Sequence, residues 1–266
     1  MLQDEFGYRV ADKIYDLTKY NEVCIDLGCG GGHIAPNVIK ENVGMLIECD
    51  MSEALIRRAK RAADAEVVTA RVIGDEELVP FRDNCADLVV SSLSAHWINR
   101  LPEWLVIDLF KRCYDILRPD CPMIGAVLAG ETLHELRISL QLAETERMGG
   151  IGAHISPFIK PQDIGSLMNR AGFDMITLDT DEIEVGYPSM FALMYDLQCM
   201  GESNAARNRS ANLRREVLVA ADAIYRCFRT MFGKERKQGE GDDGKWEEGG
   251  SEVVYPATFQ VISFIG

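Results

Sequence analysis

Near the start of the chain apolar residues recur at Phe6, Val10, Ile14 and Leu17, and this spacing of three to four predicts an amphipathic helix laid on one face of a sheet. The pattern then changes to short, nearly continuous apolar runs separated by helical stretches. Residues 23–27 form such a run, followed by a predicted helix reaching Glu41; the next run, 45–49, is followed by a helix over 53–63. Further runs cover 67–73, 87–92 and 123–129, with a helix over 102–116 between the last two. A parallel sheet needs a crossover between successive strands, so the predicted fold is α/β, doubly wound and mainly parallel.

The second half reads differently. A helix over 133–147 leads into GGIGAHISP, whose glycines and prolines suit an ordered loop or lid. Helices are predicted over 161–171, 189–200 and 214–232, a strand over 175–185, and a closing strand over 258–265. The expected organisation is a single domain, 1–266, with a cofactor-binding half at 1–148 and a substrate- or partner-binding lid and helices at 149–232. The segment 233–252 is polar, charged and glycine-rich, too poor in apolar surface to order itself, and is expected to be a disordered insertion before a closing strand at 253–266.

Composition narrows the function classes. No apolar run is long enough to cross a bilayer. A net charge of -14 opposes binding to nucleic-acid phosphates, so no nucleic-acid partner is expected. The eight cysteines are scattered without a CxxC pair, and Cys24, Cys49 and Cys85 lie inside apolar runs, which predicts reduced, packed thiols and no structural metal. Nothing before Phe6 resembles a targeting leader, so either the chain is cytosolic or the sequence begins after its targeting segment.

The chemistry concentrates at VCIDLGCGGGH, where the first strand hands over to the next element. Asp26, Gly28, Gly30 and Gly32 occupy the place at which such folds bind cofactors, and glycine there lets the backbone approach a ligand closely. A dinucleotide turn reads GxGxxG, and its third glycine would fall at His33. The turn is instead DxGxGxG, the form expected for S-adenosylmethionine. Asp50 closes the second strand, where a carboxylate can accept hydrogen bonds from both ribose hydroxyls. Asp75 and Glu76 follow the third strand in GDEELVPF, where one carboxyl can accept from an adenine amino group. The fourth strand ends in VVSSLSAHWI, which places Ser92, Leu93 and His96 toward the reacting end of the cofactor. His96 reads equally as a general base and as a packed core histidine.

The segments Asp26 to Gly32, GDEELVPF and SSLSAHW, together with Asp50, resemble the class I methyltransferase superfamily, near its biotin-pathway malonyl-carrier-protein branch. A narrower resemblance spans nearly the whole chain: SLQLAETER, GGIGAHISPF, DTDEIEVGYPSMF, LQCMGESN and YPATFQV look like the mitochondrial complex I assembly factors described as arginine hydroxylases despite a methyltransferase fold. That resemblance implies a Rossmann-like sheet of the S-adenosylmethionine-dependent type with extra C-terminal helices. It also implies a matrix location peripheral to the inner membrane, and a peripheral-arm subunit of complex I carrying the target arginine as partner.

Hydroxylation of an unactivated C–H bond needs oxygen activation, commonly at an iron held by two histidines and a carboxylate. The chain has only His33, His96, His134 and His154, with no HxD or HxE spacing, so such a set would have to assemble from distant residues such as His96 and His154, the weak catalytic candidates. No metal site is predicted. A cationic guanidinium wants carboxylates close by, and Glu144, Glu146, Asp179, Asp181, Glu182 and Glu202 are available, with Asp179 and Asp181 singled out for partner recognition. Two other classes stay open: a methyltransferase acting on a small molecule or carrier-bound acyl group, and a non-catalytic assembly chaperone.

Overall fold

The computed structural model describes residues 2–60, 67–97, 104–152, 154–156, 158–204, 213–232 and 255–266. The insertion expected at 233–252 lies outside the described residues. In chain order the elements are α1 (Leu2–Tyr15), β1 (Asn21–Leu27), β2 (Val43–Asp50), α2 (Glu53–Arg58), β3 (Val68–Ile73), β4 (Leu88–Ser92), α3 (Trp104–Ile116) and β5 (Met123–Leu128). Then follow α4 (His134–Met148), α5 (Pro161–Ala171), β6 (Thr177–Tyr187), α6 (Met190–Met200), α7 (Arg215–Phe232) and β7 (Tyr255–Ile265).

The seven strands form one sheet in the order β3-β2-β1-β4-β5-β7-β6. Pairs β3–β2, β2–β1, β1–β4 and β4–β5 are parallel, and β5–β7 is antiparallel. The doubly wound α/β expectation is therefore met. Strand order reverses at β1, whose neighbours are β2 and β4, and the crevice at the carboxyl ends of the strands beside such a reversal is where ligands bind in open α/β sheets.

The chain divides into two compact units: one holds 1–130, 158–181 and 260–266, the other 131–157 and 182–259. In the first, Phe110, Cys113 and Ile116 of α3 and Ile164, Leu167 and Met168 of α5 join Ile25, Leu27, Val89, Met123 and Phe264 of the strands in one buried cluster. Gly125 belongs to this packing, because a Cβ there would stand 2.3 Å from the ring of Phe264, which itself meets Phe110 edge-on at 5.7 Å. Outside that cluster α1 packs against β4 and β5 and buries Phe6, Val10 and Ile14, as their spacing predicted. In the second unit α4 packs on α7. There Tyr225 is fully buried and donates to the carbonyl of Pro256 at 2.5 Å, while Glu135 accepts from the backbone and hydroxyl of Thr258.

Two predicted helices differ. In place of a helix running to Glu41, the chain after β1 makes only a 3₁₀ turn over Ala35–Asn37. Asn37, Val38 and Ile39 are weak helix formers; Val38 is extended, and the carbonyl of Asn37 accepts from the Tyr15 hydroxyl instead of closing a helical turn. The helix expected to reach residue 63 stops at Arg58. Its next groups are claimed elsewhere: the Ala59 carbonyl accepts from Arg71 at 2.9 Å, and the Lys60 N–H donates to the Gly31 carbonyl at 2.8 Å.

Candidate functional site

The glycine turn opens where β1 ends. The N–H groups of Gly28 and Cys29 both donate to the carbonyl of Cys49, at 2.8 and 3.1 Å, which pins the turn to the end of β2. Asp50, 8% exposed, holds it from a second side: one carboxylate oxygen accepts the Gly30 N–H at 2.9 Å, the other the Ser52 N–H at 2.7 Å. Each oxygen keeps a further lone pair, so the ribose role expected of Asp50 remains chemically open to it, but its first task is to shape the turn.

The glycines differ in purpose. A Cβ on Gly28 would fall 1.9 Å from the Ser94 hydroxyl and 2.5 Å from Glu76, so this position is bare because protein packs there. A Cβ on Gly32 would come within 2.8 Å of Glu48. Gly30 alone of the three faces open space, with no atom within 4 Å of an added Cβ and a left-handed φ of +51°. It is the glycine over which a ligand can lie against bare backbone.

Asp26 lies beneath the turn, 1% exposed, and neither of its carboxylate oxygens has a hydrogen-bond partner. Burial first, and then the charges of Glu48, Glu76 and Asp50, push its carboxyl far above the ordinary carboxylate range. Glu48, fully buried, is the register partner of Arg71 across β2 and β3, and the two pair at 2.8 Å. Glu76, on a 3₁₀ turn after β3, accepts from the Ser94 hydroxyl at 2.6 Å. Asp75 beside it is exposed. Four carboxylates thus converge on one turn. Such a set repels a pyrophosphate and attracts a cation, and the buried, unpartnered oxygens of Asp26 are what a positively charged ligand would satisfy.

Ser92 ends β4 half-buried, and Leu93 follows with a left-handed φ of 53° while its N–H donates to Ala126 at 2.8 Å. A leucine in that conformation carries strain of the kind that collects at functional sites. The His96 ring sits between Trp97, at 5.7 Å between centroids, and Phe158, at 5.9 Å. His154 belongs to the other unit, 2.7 Å from Glu144. Asp179 and Asp181 are half exposed and face cations of α1, Lys13 at 3.9 Å and Arg9 at 3.3 Å. Among the described residues no group of three or more His, Cys, Asp and Glu is arranged to hold a metal.

Sequence reasoning missed a clasp on the turn. Asp4 of α1 binds His33 at 2.7 Å and Lys60, and Gly7 lies so close that a Cβ would stand 2.3 Å from the His33 carbonyl oxygen. Lys60 and His33 hold the Asp4 carboxyl well below its ordinary value. Its contribution to stability is therefore complete above the usual carboxylate pKa and is lost as pH falls through the depressed folded value.

A sheet of this order, with a DxGxGxG turn at its reversal point and acids at the ends of β1 and β2, defines a class I methyltransferase fold. The methyltransferase domain family matches residues 25–124. Among solved structures, a methyltransferase of Bacillus halodurans aligns with a TM-score of 0.58 at 17% identity, covering 96% of each chain, and the YcgJ protein of Bacillus subtilis with 0.54 at 12% identity, covering 97% of this chain and 96% of its own. The mitochondrial arginine-hydroxylase NDUFAF5 of Homo sapiens is 46% identical over 265 residues, covering 100% of this chain and 69% of that protein, and its Danio rerio counterpart is 44% identical, covering 100% and 74%. A malonyl-[acyl-carrier protein] O-methyltransferase of Methylovorus is 28% identical over 98% of this chain and 80% of its own length. The chain belongs to the NDUFAF5 arginine-hydroxylase family.

Proposed function

We propose that the chain binds S-adenosylmethionine at the glycine turn and hydroxylates an arginine of a peripheral-arm subunit of respiratory complex I, acting in the mitochondrial matrix at the face of the inner membrane. The observation that carries the hydroxylase assignment is identity of 44–46% with the vertebrate arginine-hydroxylases over the whole chain, second unit included. Among the described residues no helix is long and apolar enough to cross a membrane, in keeping with peripheral association.

The unpartnered buried carboxyl of Asp26 supports the cofactor. S-adenosylmethionine carries an ammonium and a sulfonium, and when bound supplies an electrophilic methyl group; that group supplies no oxygen, so hydroxylation would draw its oxygen atom from dioxygen, with the second oxygen atom reduced to water by two electrons from an external reductant. Asp26 would meet its positive charge, Gly30 would admit it against bare backbone, and Asp50 would accept from its ribose. Asp75 or Glu76 would hold the adenine amino group, with Ser92 and Leu93 at the reacting end. Gly30→Val puts a branched side chain into the open space above the turn and is expected to abolish cofactor binding by calorimetry. Asp50→Ala is expected to weaken it by about 1–3 kcal/mol; an unchanged dissociation constant would remove Asp50 from the ribose role.

Mass spectrometry of the arginine-bearing subunit, with and without this protein, tests the reaction. Gain of one oxygen on an arginine is the expected result. Gain of one methylene would favour the methyltransferase alternative, which the full-length similarity to a malonyl-carrier-protein methyltransferase supports. No change would leave an assembly chaperone.

A further inference from the structure

The second unit holds a buried carboxylate whose partners differ from those of every comparable acid among the described residues. Glu144 of α4 is 7% exposed. Its Oε2 accepts the N–H of Gly152, and its Oε1 lies 2.7 Å from Nε2 of His154. Both partners lie after α4, Gly152 and, two residues on, His154. The packing is close: a Cβ on Gly152 would fall 2.9 Å from Glu144 Oε2 and 2.9 Å from His154 Nε2.

Of the other buried acids, all but the unpartnered Asp26 are held by regular elements or their ends. Glu48 is paired with Arg71 of β3 at 2.8 Å, and Asp87 with Arg118 at 2.7 Å and the Val23 N–H at 3.0 Å. Asp50 accepts from Gly30 and Ser52, and Glu135 from Thr258 of β7. Glu144 instead accepts one hydrogen bond, from the Gly152 N–H, and has the unbonded Nε2 of His154 beside its other oxygen. A guanidinium is a fork that offers a carboxylate one N–H for each oxygen. Here only one of those two places is filled by a hydrogen bond.

We infer that Glu144 is the carboxylate that receives the guanidinium of the substrate arginine, and that His154 and the Gly152 N–H hold its place until the arginine arrives. The inference rests on the proposed arginine-directed function for the identity of the ligand. Binding completes the carboxylate's hydrogen bonding: in the empty protein the Gly152 N–H donates to one oxygen while the His154 nitrogen beside the other makes no hydrogen bond, and the guanidinium brings two charge-assisted hydrogen bonds. A neutral citrulline lacks the charge and a lysine lacks the fork.

The test uses the full chain and a fluorescein-labelled peptide with one central arginine, alongside lysine and citrulline versions, read by anisotropy. Glu144→Gln keeps shape and removes charge; it is expected to weaken capture of the arginine peptide by about tenfold or more while leaving the melting temperature and cofactor affinity in place. His154→Ala removes the competing group and opens its space beside the carboxylate, and is expected to tighten capture by about threefold or more, which a merely structural loop anchor would not do. Equal binding of the three peptides by the unaltered chain, unchanged capture by the Glu144→Gln variant, or weakened capture by the His154→Ala variant would each overturn the assignment. Capture through Glu144 without gain of oxygen on the subunit would sink the hydroxylation reading and leave the guanidinium site standing; gain of oxygen in the Glu144→Gln variant at the normal rate would do the reverse.

Discussion

Asp26→Asn is expected to abolish S-adenosylmethionine binding, a loss of about 100-fold or more, without lowering the melting temperature of the empty protein. Two effects are separated by this change. With ligand present, Asp26 would oppose a cation from a buried position, where charge-assisted contacts are strongest. Without it, the carboxyl is 1% exposed, has no hydrogen-bond partner and stands among Glu48, Glu76 and Asp50, so it burdens the fold. The pH dependence has a definite sign. The folded chain keeps the Asp26 proton where the unfolded chain has lost it, so the stability contribution is present at low pH and falls as pH climbs from the ordinary carboxylate value, about 4, toward the raised folded value. Affinity for a cationic ligand rises over the same window. Both slopes are expected to flatten in the Asn variant, as read by thermal melts and calorimetry across a pH series. A marked loss of empty-protein stability in that variant would show that Asp26 is structural.

The second large effect lies one strand away. Arg71→Met leaves Glu48, fully buried, without the guanidinium that meets it at 2.8 Å. Stranding a buried charge costs about 3–5 kcal/mol, and the carbonyls of Ala59 and Lys60 lose a donor as well. The variant is expected to unfold at clearly lower denaturant, and Glu48→Gln in the same chain is expected to restore much of the loss. No rescue in the double variant would assign the cost to the carbonyl contacts instead of to the ion pair.

Local signals carried most of the fold. The helix α5 begins and ends where it was predicted, because Pro161 sits in its first turn and Gly172 takes the left-handed conformation beyond its last residue. The five apolar runs located β1 to β5, and the strands predicted over 175–185 and 258–265 fall on β6 and β7. What failed were two helices: the one predicted after β1 lost to poor helix formers and a tyrosine contact from α1, and the one after β2 stops at Arg58.

At the site, the residues of the DxGxGxG turn and Asp50 were legible by type and position, but not by task. That Gly28 makes room for Ser94 and Glu76, while Gly30 faces open space, depends on which loops fold over the turn. Glu48 was passed over inside an apolar strand. Its partner stands 23 residues on, and only the β2–β3 register brings them together. A charged residue in the middle of each of two neighbouring apolar runs was the available signal. The Asp4–His33 clasp spans 29 residues and left no local mark.

The place of β7 in the sheet has a genetic corollary. It is the last of the seven strands to leave the ribosome, yet it stands between β5 and β6, not at an edge. Until residues 255–265 are made, the nascent chain can have neither neighbour joined to it, and two strand edges stay open to other chains. A premature stop codon anywhere upstream of Tyr255 therefore removes an interior strand of the sheet and not a marginal one.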